Sequence, residues 1–94
     1  MAERTQIHVL INGRVQGVGF RAWIEQRAID LGLTGWVRNR SDGSVEAVFQ
    51  GEPERVGEML EACKSGPRHA QVTSVELLGD GVDPHDRFVV LPTV

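Results

Sequence analysis

Hydrophobic and polar residues alternate from 5 to 12, with Ile7, Val9 and Ile11 on one side and Gln6, His8, Leu10 and Asn12 on the other, a period of two that predicts a strand with one buried face. From Phe20 the spacing becomes helical: Phe20, Ile24, Ala28 and Leu31 share a stripe, Arg21, Glu25 and Asp30 lie off it, and Gly32 offers a left-handed stop. Between them runs Gly13-Arg14-Val15-Gln16-Gly17-Val18-Gly19, too rich in glycine for a strand and too apolar for an ordinary solvated turn. Residues 35–40 and 44–50 flank Ser41-Asp42-Gly43 and read as a hairpin. A two-residue Asp42-Gly43 turn sets Arg40 opposite Val45 and Arg38 opposite Ala47, mixing charge into the apolar face. A three-residue loop with Gly43 left-handed instead pairs Asn39 with Val45, Val37 with Ala47 and Gly35 with Phe49 on one face, and Arg38 with Glu46 on the other. The second register is preferred. It puts Asn39 on the apolar, helix-covered face near the end of its strand, where a polar amide needs a partner or a ligand.

Residues 52–65 predict a second helix, with Pro53 in its first turn, Val56, Met59, Leu60 and Cys63 as its core stripe, and Gly66-Pro67 as its stop. Val72, Val75, Leu77 and Leu78 mark a fourth strand, a polar loop follows over 80–86, and 88–91 marks a short fifth strand. The order β-α-β-β-α-β with a short extra C-terminal strand is the split βαβ arrangement. It predicts an α+β, ferredoxin-like sandwich, with two helices on one face of a mainly antiparallel sheet and residues 1–94 in one domain. With right-handed crossovers and a strand order of 4-1-3-2, the first two strands run parallel on either side of the third. Their C-terminal ends reach the same edge of the sheet, so the glycine loop and Asn39 are expected to meet there.

Composition narrows the chemistry. Ninety-four residues are too few for two independent cores, and 40% hydrophobic with 24% charged residues is an ordinary globular balance. Ten Lys+Arg against thirteen Asp+Glu leave a net charge of −3, no field for gathering nucleic acid or anionic lipid, so any anion site must be local. One cysteine, Cys63, provides neither an internal disulfide nor a multi-thiolate metal site and fits a reducing cytoplasm. No apolar run approaches the roughly 20 residues of a membrane span, and the first seven residues lack the apolar stretch of a signal peptide.

A strand that ends in a glycine-rich loop and enters a helix can turn successive backbone N–H groups inward, and the helix N-terminus adds unpaired donors and partial positive charge. Gly17 and Gly19 permit conformations and close anion approach that a Cβ would hinder. Arg21 in the first helical turn opposes the helix dipole, at a cost of up to about 1 kcal/mol. Bidentate, charge-assisted bonds to phosphate oxygens offset that cost when ligand is bound. Two better-known phosphate motifs do not fit. The Walker loop needs Lys-Ser/Thr after its last glycine, where Phe20-Arg21 stands. The looser dinucleotide fingerprint needs a doubly wound sheet and an acid at the end of the second strand.

Gly13-Arg14-Val15-Gln16-Gly17-Val18-Gly19-Phe20-Arg21, with Gly35-Trp36-Val37-Arg38-Asn39 and Asp42-Gly43-Ser44-Val45-Glu46, resembles the acylphosphatase family over nearly the whole chain. The resemblance implies hydrolysis of the carboxyl–phosphate anhydride of acyl phosphates to a carboxylate and inorganic phosphate, with no metal or other cofactor. It assigns the catalytic arginine to Arg21, the catalytic asparagine to Asn39, and a phosphate cradle to the backbone amides of Val15, Gln16, Gly17, Val18, Gly19 and Phe20. Phosphate or sulfate is therefore expected in the loop, and a small-molecule acyl phosphate as substrate of a monomer. So sparse a site suits the reaction. The expelled carboxylate has a conjugate acid of pKa about 4 to 5, so no general acid is needed. What remains is to hold the phosphoryl group, spread its charge and place a water in line. In that scheme Arg21 and the loop amides grip the phosphoryl oxygens and the Asn39 amide orients the water. No side chain is an evident base, which leaves the substrate's own phosphate as a candidate proton acceptor.

The other candidates read as structural. His8, His69 and His85 have no metal or triad spacing, Cys63 sits on a core stripe, Trp23 and Trp36 are packing residues, and Arg14 is a solvated loop residue. The family's usual final tyrosine is absent, since the chain has no Tyr, which leaves the packing of the last strand open. Two rival functions share the fold. An RNA-binding module needs exposed aromatics on the first and third strands, where only Phe49 occurs, on the expected core face. A phosphate- or carbamoyl-phosphate-binding module of a larger carbamoyl-transfer or hydrogenase-maturation protein is the stronger rival. A freestanding hydrolase is preferred because nothing follows Val94.

Overall fold

The computed structural model describes residues 4–80 and 86–94; the middle of the polar loop expected over 80–86, with His85, lies outside the described residues. The elements are β1 (Thr5–Arg14), α1 (Phe20–Asp30), β2 (Thr34–Asn39), β3 (Val45–Gly51), α2 (Pro53–Ser65), β4 (Gln71–Asp80) and β5 (Phe88–Val90). One sheet contains all five strands in the order β4-β1-β3-β2-β5. The expected 4-1-3-2 order is thus present, with β5 added beside β2 and parallel to it. Helix α1 packs over β2 and β5, and α2 over β4, β1 and β3. Between helices and sheet lies a core of Val9, Ile11, Ile24, Val37, Phe49 and Met59, all inaccessible to solvent. The open question of the last strand is answered by Phe88, whose ring stacks on Phe49 at 5.8 Å in the position that anchors β5.

Element ends differ from the expectation in ways that have local causes. β1 continues through Gly13 and Arg14, because after an irregularity at Asn12 these two residues pair with Val72 and Gln71 of β4. Two residues assigned to the loop therefore belong to the sheet, and the loop itself begins at Val15. Asp80, expected in a loop, is the last residue of β4. Helix α1 closes one residue before Leu31. Gly32 N–H donates to the Ile29 carbonyl and Leu33 N–H to the Ala28 carbonyl, the paired bonds of a Schellman stop. Leu77 and Leu78, at the far end of β4, are exposed.

The β2–β3 hairpin has the three-residue register, with Asn39 opposite Val45, Arg38 opposite Glu46 and Val37 opposite Ala47. Gly43 takes the left-handed position at φ 96°. The Asp42 carboxylate accepts from the Ser44 hydroxyl at 2.6 Å and the Ser44 N–H at 2.9 Å. Those two bonds hold its carboxyl below the ordinary value.

On the helix-free face, Glu46 accepts from Arg38 Nε and Arg40 Nη1 on one oxygen, each at 2.9 Å, and from His8 Nε2 on the other at 2.6 Å. The Arg38 guanidinium lies over the Trp36 ring and the His8 ring meets its edge. Burial pushes the Glu46 carboxyl up, and the bonds from Arg38, His8 and Arg40 together outweigh it and hold the carboxyl below its ordinary value of 4.5. Glu46→Gln is expected to cost about 3 kcal/mol at neutral pH, because it leaves three donors around a neutral amide. Since the folded carboxyl titrates below the unfolded one, this contribution is complete well above pH 4.5 and is lost as the pH falls through the folded value. Urea unfolding of the two chains should show a gap that narrows with acid. A gap of the same size at pH 3 and pH 7 would contradict the ion-pair account.

Candidate active site

The loop from β1 to α1 is apolar because its ends are anchored in the core. Val15 and Phe20 are 1% and 2% exposed, and Val18 packs against the same cluster. Between the anchors the backbone arches outward. Gly17 and Gly19 sit at φ 74° and 77°, and a Cβ at either would meet no atom within 4 Å. The requirement for glycine is therefore conformational, about 1–2 kcal/mol per residue for any other side chain. Gly19 is also the N-cap of α1, so no side chain caps the helix. Trp23 N–H to Gly19 O, at 3.0 Å, is the first helical bond. Among the described residues, no acceptor engages the N–H groups of Val15, Gln16, Gly17, Val18, Gly19 or Phe20. Such a row of unpaired amides, continued by the helix N-terminus, forms a nest for an anion.

A cleft of about 340 Å³ opens beside this loop and is lined by Val15, Gln16, Gly17, Gly19, Phe20 and Arg21 and, from across the sheet edge, by Asn39. The structure thus brings Arg21, Asn39 and five of the six cradle residues together. The sixth, Val18, turns its side chain to the core instead. Arg21 is half-buried and, among the described residues, has no carboxylate within ion-pair distance. Asn39 lies at the C-terminal end of β2 on the core side, and its Oδ1 is buried without a hydrogen-bond partner among the described residues. Its backbone carbonyl accepts from Val94 N–H at 3.1 Å, and the Val94 carbonyl accepts from Ser41 N–H at 2.6 Å. The last described residue thereby braces the strand end.

The cleft has a second wall that the sequence reading did not assign. Ala22 and Glu25, on the first two turns of α1, and Val90, at the end of β5, complete it. Arg21, Ala22 and Glu25 share the helix face that looks across at Asn39, and the i, i+4 spacing of Arg21 and Glu25 was the available signal. Val90 lies in the expected fifth strand, but the parallel pairing of that strand with β2, which brings it to the cleft, leaves no local pattern. The Gln16 side chain was also missed: its Nε2 donates to the carbonyls of Arg40 at 2.7 Å and Ser44 at 2.8 Å. Cys63 is fully buried, and burial pushes its thiol up to about 12, which makes it inert as a nucleophile at neutral pH. Among the described residues no three His, Cys, Asp or Glu side chains gather as a metal site, and no helix is long and apolar enough to cross a membrane.

The acylphosphatase family model matches residues 7–90. An acylphosphatase of Bradyrhizobium diazoefficiens is 50% identical over 97 residues, covering 97% of this chain and 98% of that protein. Among solved structures, an acylphosphatase from Coxiella burnetii superposes with a TM-score of 0.88 at 40% identity, covering 94% of this chain and 93% of that one. Full-length HypF in a phosphate- and nucleotide-bound form also superposes, with a TM-score of 0.88 at 23% identity; the match covers 99% of this chain and 12% of that one, and shows the fold alone.

Proposed function

The chain belongs to the acylphosphatase family and is an acylphosphatase, and from that premise we propose that Arg21 and the amides of residues 15–20 hold the phosphoryl group of an acyl phosphate while Asn39 orients the attacking water. The observation that carries this division of labour is the pairing of two unsatisfied features across one cleft. On one side stands a row of N–H donors without acceptors among the described residues, with a guanidinium beside it that no described carboxylate pairs. On the other is a buried amide oxygen without a donor. An anion held in the nest and a proton-bearing nucleophile held at the Asn39 amide together satisfy both sides of the cleft.

The cradle binds the dianion in an N–H nest, so the donors are preorganised and need no rearrangement as charge shifts toward the leaving carboxylate. Arg21 contributes the positive charge beside the nest, held in place by the first turn of α1. The Asn39 side-chain amide, on the cleft wall, hydrogen-bonds the water and so aims an oxygen lone pair at phosphorus, opposite the departing acyl oxygen. With a leaving group of pKa about 4 to 5, the bond breaks without a general acid. The substrate's phosphate takes the proton of the attacking water. The 94 residues act as one domain and as a monomer in the cytoplasm, on a small molecule and without nucleic acid, membrane or metal. Inorganic phosphate, the product, occupies the same nest, as does sulfate.

The test is phosphate release from benzoyl phosphate in excess chelator. Turnover that saturates with substrate, persists in chelator and is competitively inhibited by inorganic phosphate is expected. Absence of release from the folded chain would overturn the hydrolase reading and favour a phosphate- or carbamoyl-phosphate-binding module.

A further inference from the structure

The Gln16 side chain makes two contacts that serve neither the cradle's donors nor the hairpin's own closure. Its NH₂ group faces two backbone carbonyls, Arg40 O at 2.7 Å and Ser44 O at 2.8 Å. Two carbonyl acceptors fix the amide orientation, because only the nitrogen end of Gln can donate. Each of those carbonyls already has a partner inside the hairpin: Ser44 O accepts from Arg40 N–H at 2.9 Å, and Arg40 O from Gly43 N–H at 3.0 Å. Asp42 holds the turn independently through Ser44. The hairpin therefore closes without Gln16, whose fork occupies second lone pairs. What the fork adds is a lateral tie between the loop that carries the anion nest and the neck of the hairpin, one residue beyond Asn39.

We infer that Gln16 is a positioning residue, whose side chain fixes the distance between the phosphate cradle and the Asn39 amide. The two halves of the site come from different strand ends of the sheet. Among the described residues, this pair of bonds is the hydrogen-bonded link between the loop and the hairpin neck. A displacement of about 1 Å between nucleophile and electrophile can cost about a hundredfold in rate, so a tie that holds the spacing acts on turnover rather than on phosphate affinity. Gln16 has two separable parts: its backbone N–H belongs to the nest, and its side chain belongs to the hairpin. The inference rests on the water-orienting role of Asn39 proposed above.

The experiment compares Gln16→Met, which keeps length without donors, Gln16→Glu, which keeps shape without donors, and Gln16→Lys, which restores donors. Benzoyl phosphate is the substrate and inorganic phosphate the probe of the nest. Gln16→Met is expected to lower kcat about tenfold to a hundredfold, with inhibition by phosphate changed less than threefold. Gln16→Lys is expected to recover kcat to within about threefold of the native chain, because its ammonium can donate to both carbonyls. If Gln16→Met fails to fold, Gln16→Glu against Gln16→Lys supplies the same contrast of donors. In an Asn39→Ala background, Gln16→Met should change kcat less than twofold, because the group it positions is gone. Three results would overturn the inference: an unchanged kcat in Gln16→Met, an equal loss of phosphate binding, or a full loss of kcat in the Asn39→Ala background. Failure of the premise looks different, since Asn39→Ala alone would then keep near-native turnover.

Discussion

Arg21→Ala is expected to lower kcat/KM for benzoyl phosphate by about 10³-fold or more and to weaken inhibition by inorganic phosphate by about 10²-fold. In the proposed site, removing the guanidinium takes away the one positively charged side chain that lines the cleft among the described residues, while the N–H nest remains and keeps some affinity. Arg21→Lys should recover part of the binding and less of the turnover, since an ammonium supplies charge without the planar fork. Folding should move the other way. A cation in the first turn of α1 opposes the helix dipole, and that turn holds no acidic residue, so the alanine chain is expected to be as stable as the native one or better by a few tenths of a kcal/mol. Enzyme assays with phosphate titration and urea unfolding of both chains check the two halves together. Large losses of both activity and stability would mean that Arg21 is a structural residue.

Asn39→Ala is expected to lower kcat by about 10²–10³-fold while KM and phosphate inhibition stay within about threefold. The reason is the proposed division across the cleft, in which the amide orients the water and the nest holds the phosphoryl oxygens. Stability again gives an independent check. Asn39 Oδ1 is buried and unpartnered, and an unsatisfied buried acceptor costs about 1–3 kcal/mol. Its removal should therefore leave the fold unchanged or more stable. Turnover lost with stability gained is the signature of a residue kept for chemistry. A drop in phosphate affinity as large as the drop in kcat would assign Asn39 to binding instead.

Much of the site could be read from the sequence because it depends on local rules. The change of period at Phe20, the glycines before it and the misplaced Arg21 all act within a few residues. Asn39 was placed correctly because one hairpin register keeps charge off the apolar face and sets Arg38 against Glu46. The topology then carried both features to one sheet edge. What escaped depends on distant partners. Gln16 bonds to carbonyls 24 and 28 residues away, and a backbone carbonyl has no sequence signature. His8 and Arg40 join the Glu46 cluster, which requires the β1–β3 register as well as the hairpin. Val90 enters the cleft through a three-residue strand whose position is set by Phe88 stacking on Phe49. The extension of β1 through Gly13 and Arg14 depends on an irregularity in its pairing with β4.

The claim that a cradled phosphoryl group is the centre of attack is tested most directly by turning over an acyl phosphate in ¹⁸O-labelled water and locating the label by mass spectrometry. Attack at phosphorus by a water aimed from Asn39 predicts one labelled oxygen in inorganic phosphate and none in the carboxylate. Label in the carboxylate would mean attack at the acyl carbon, and would contradict the roles given to Asn39 and to the nest.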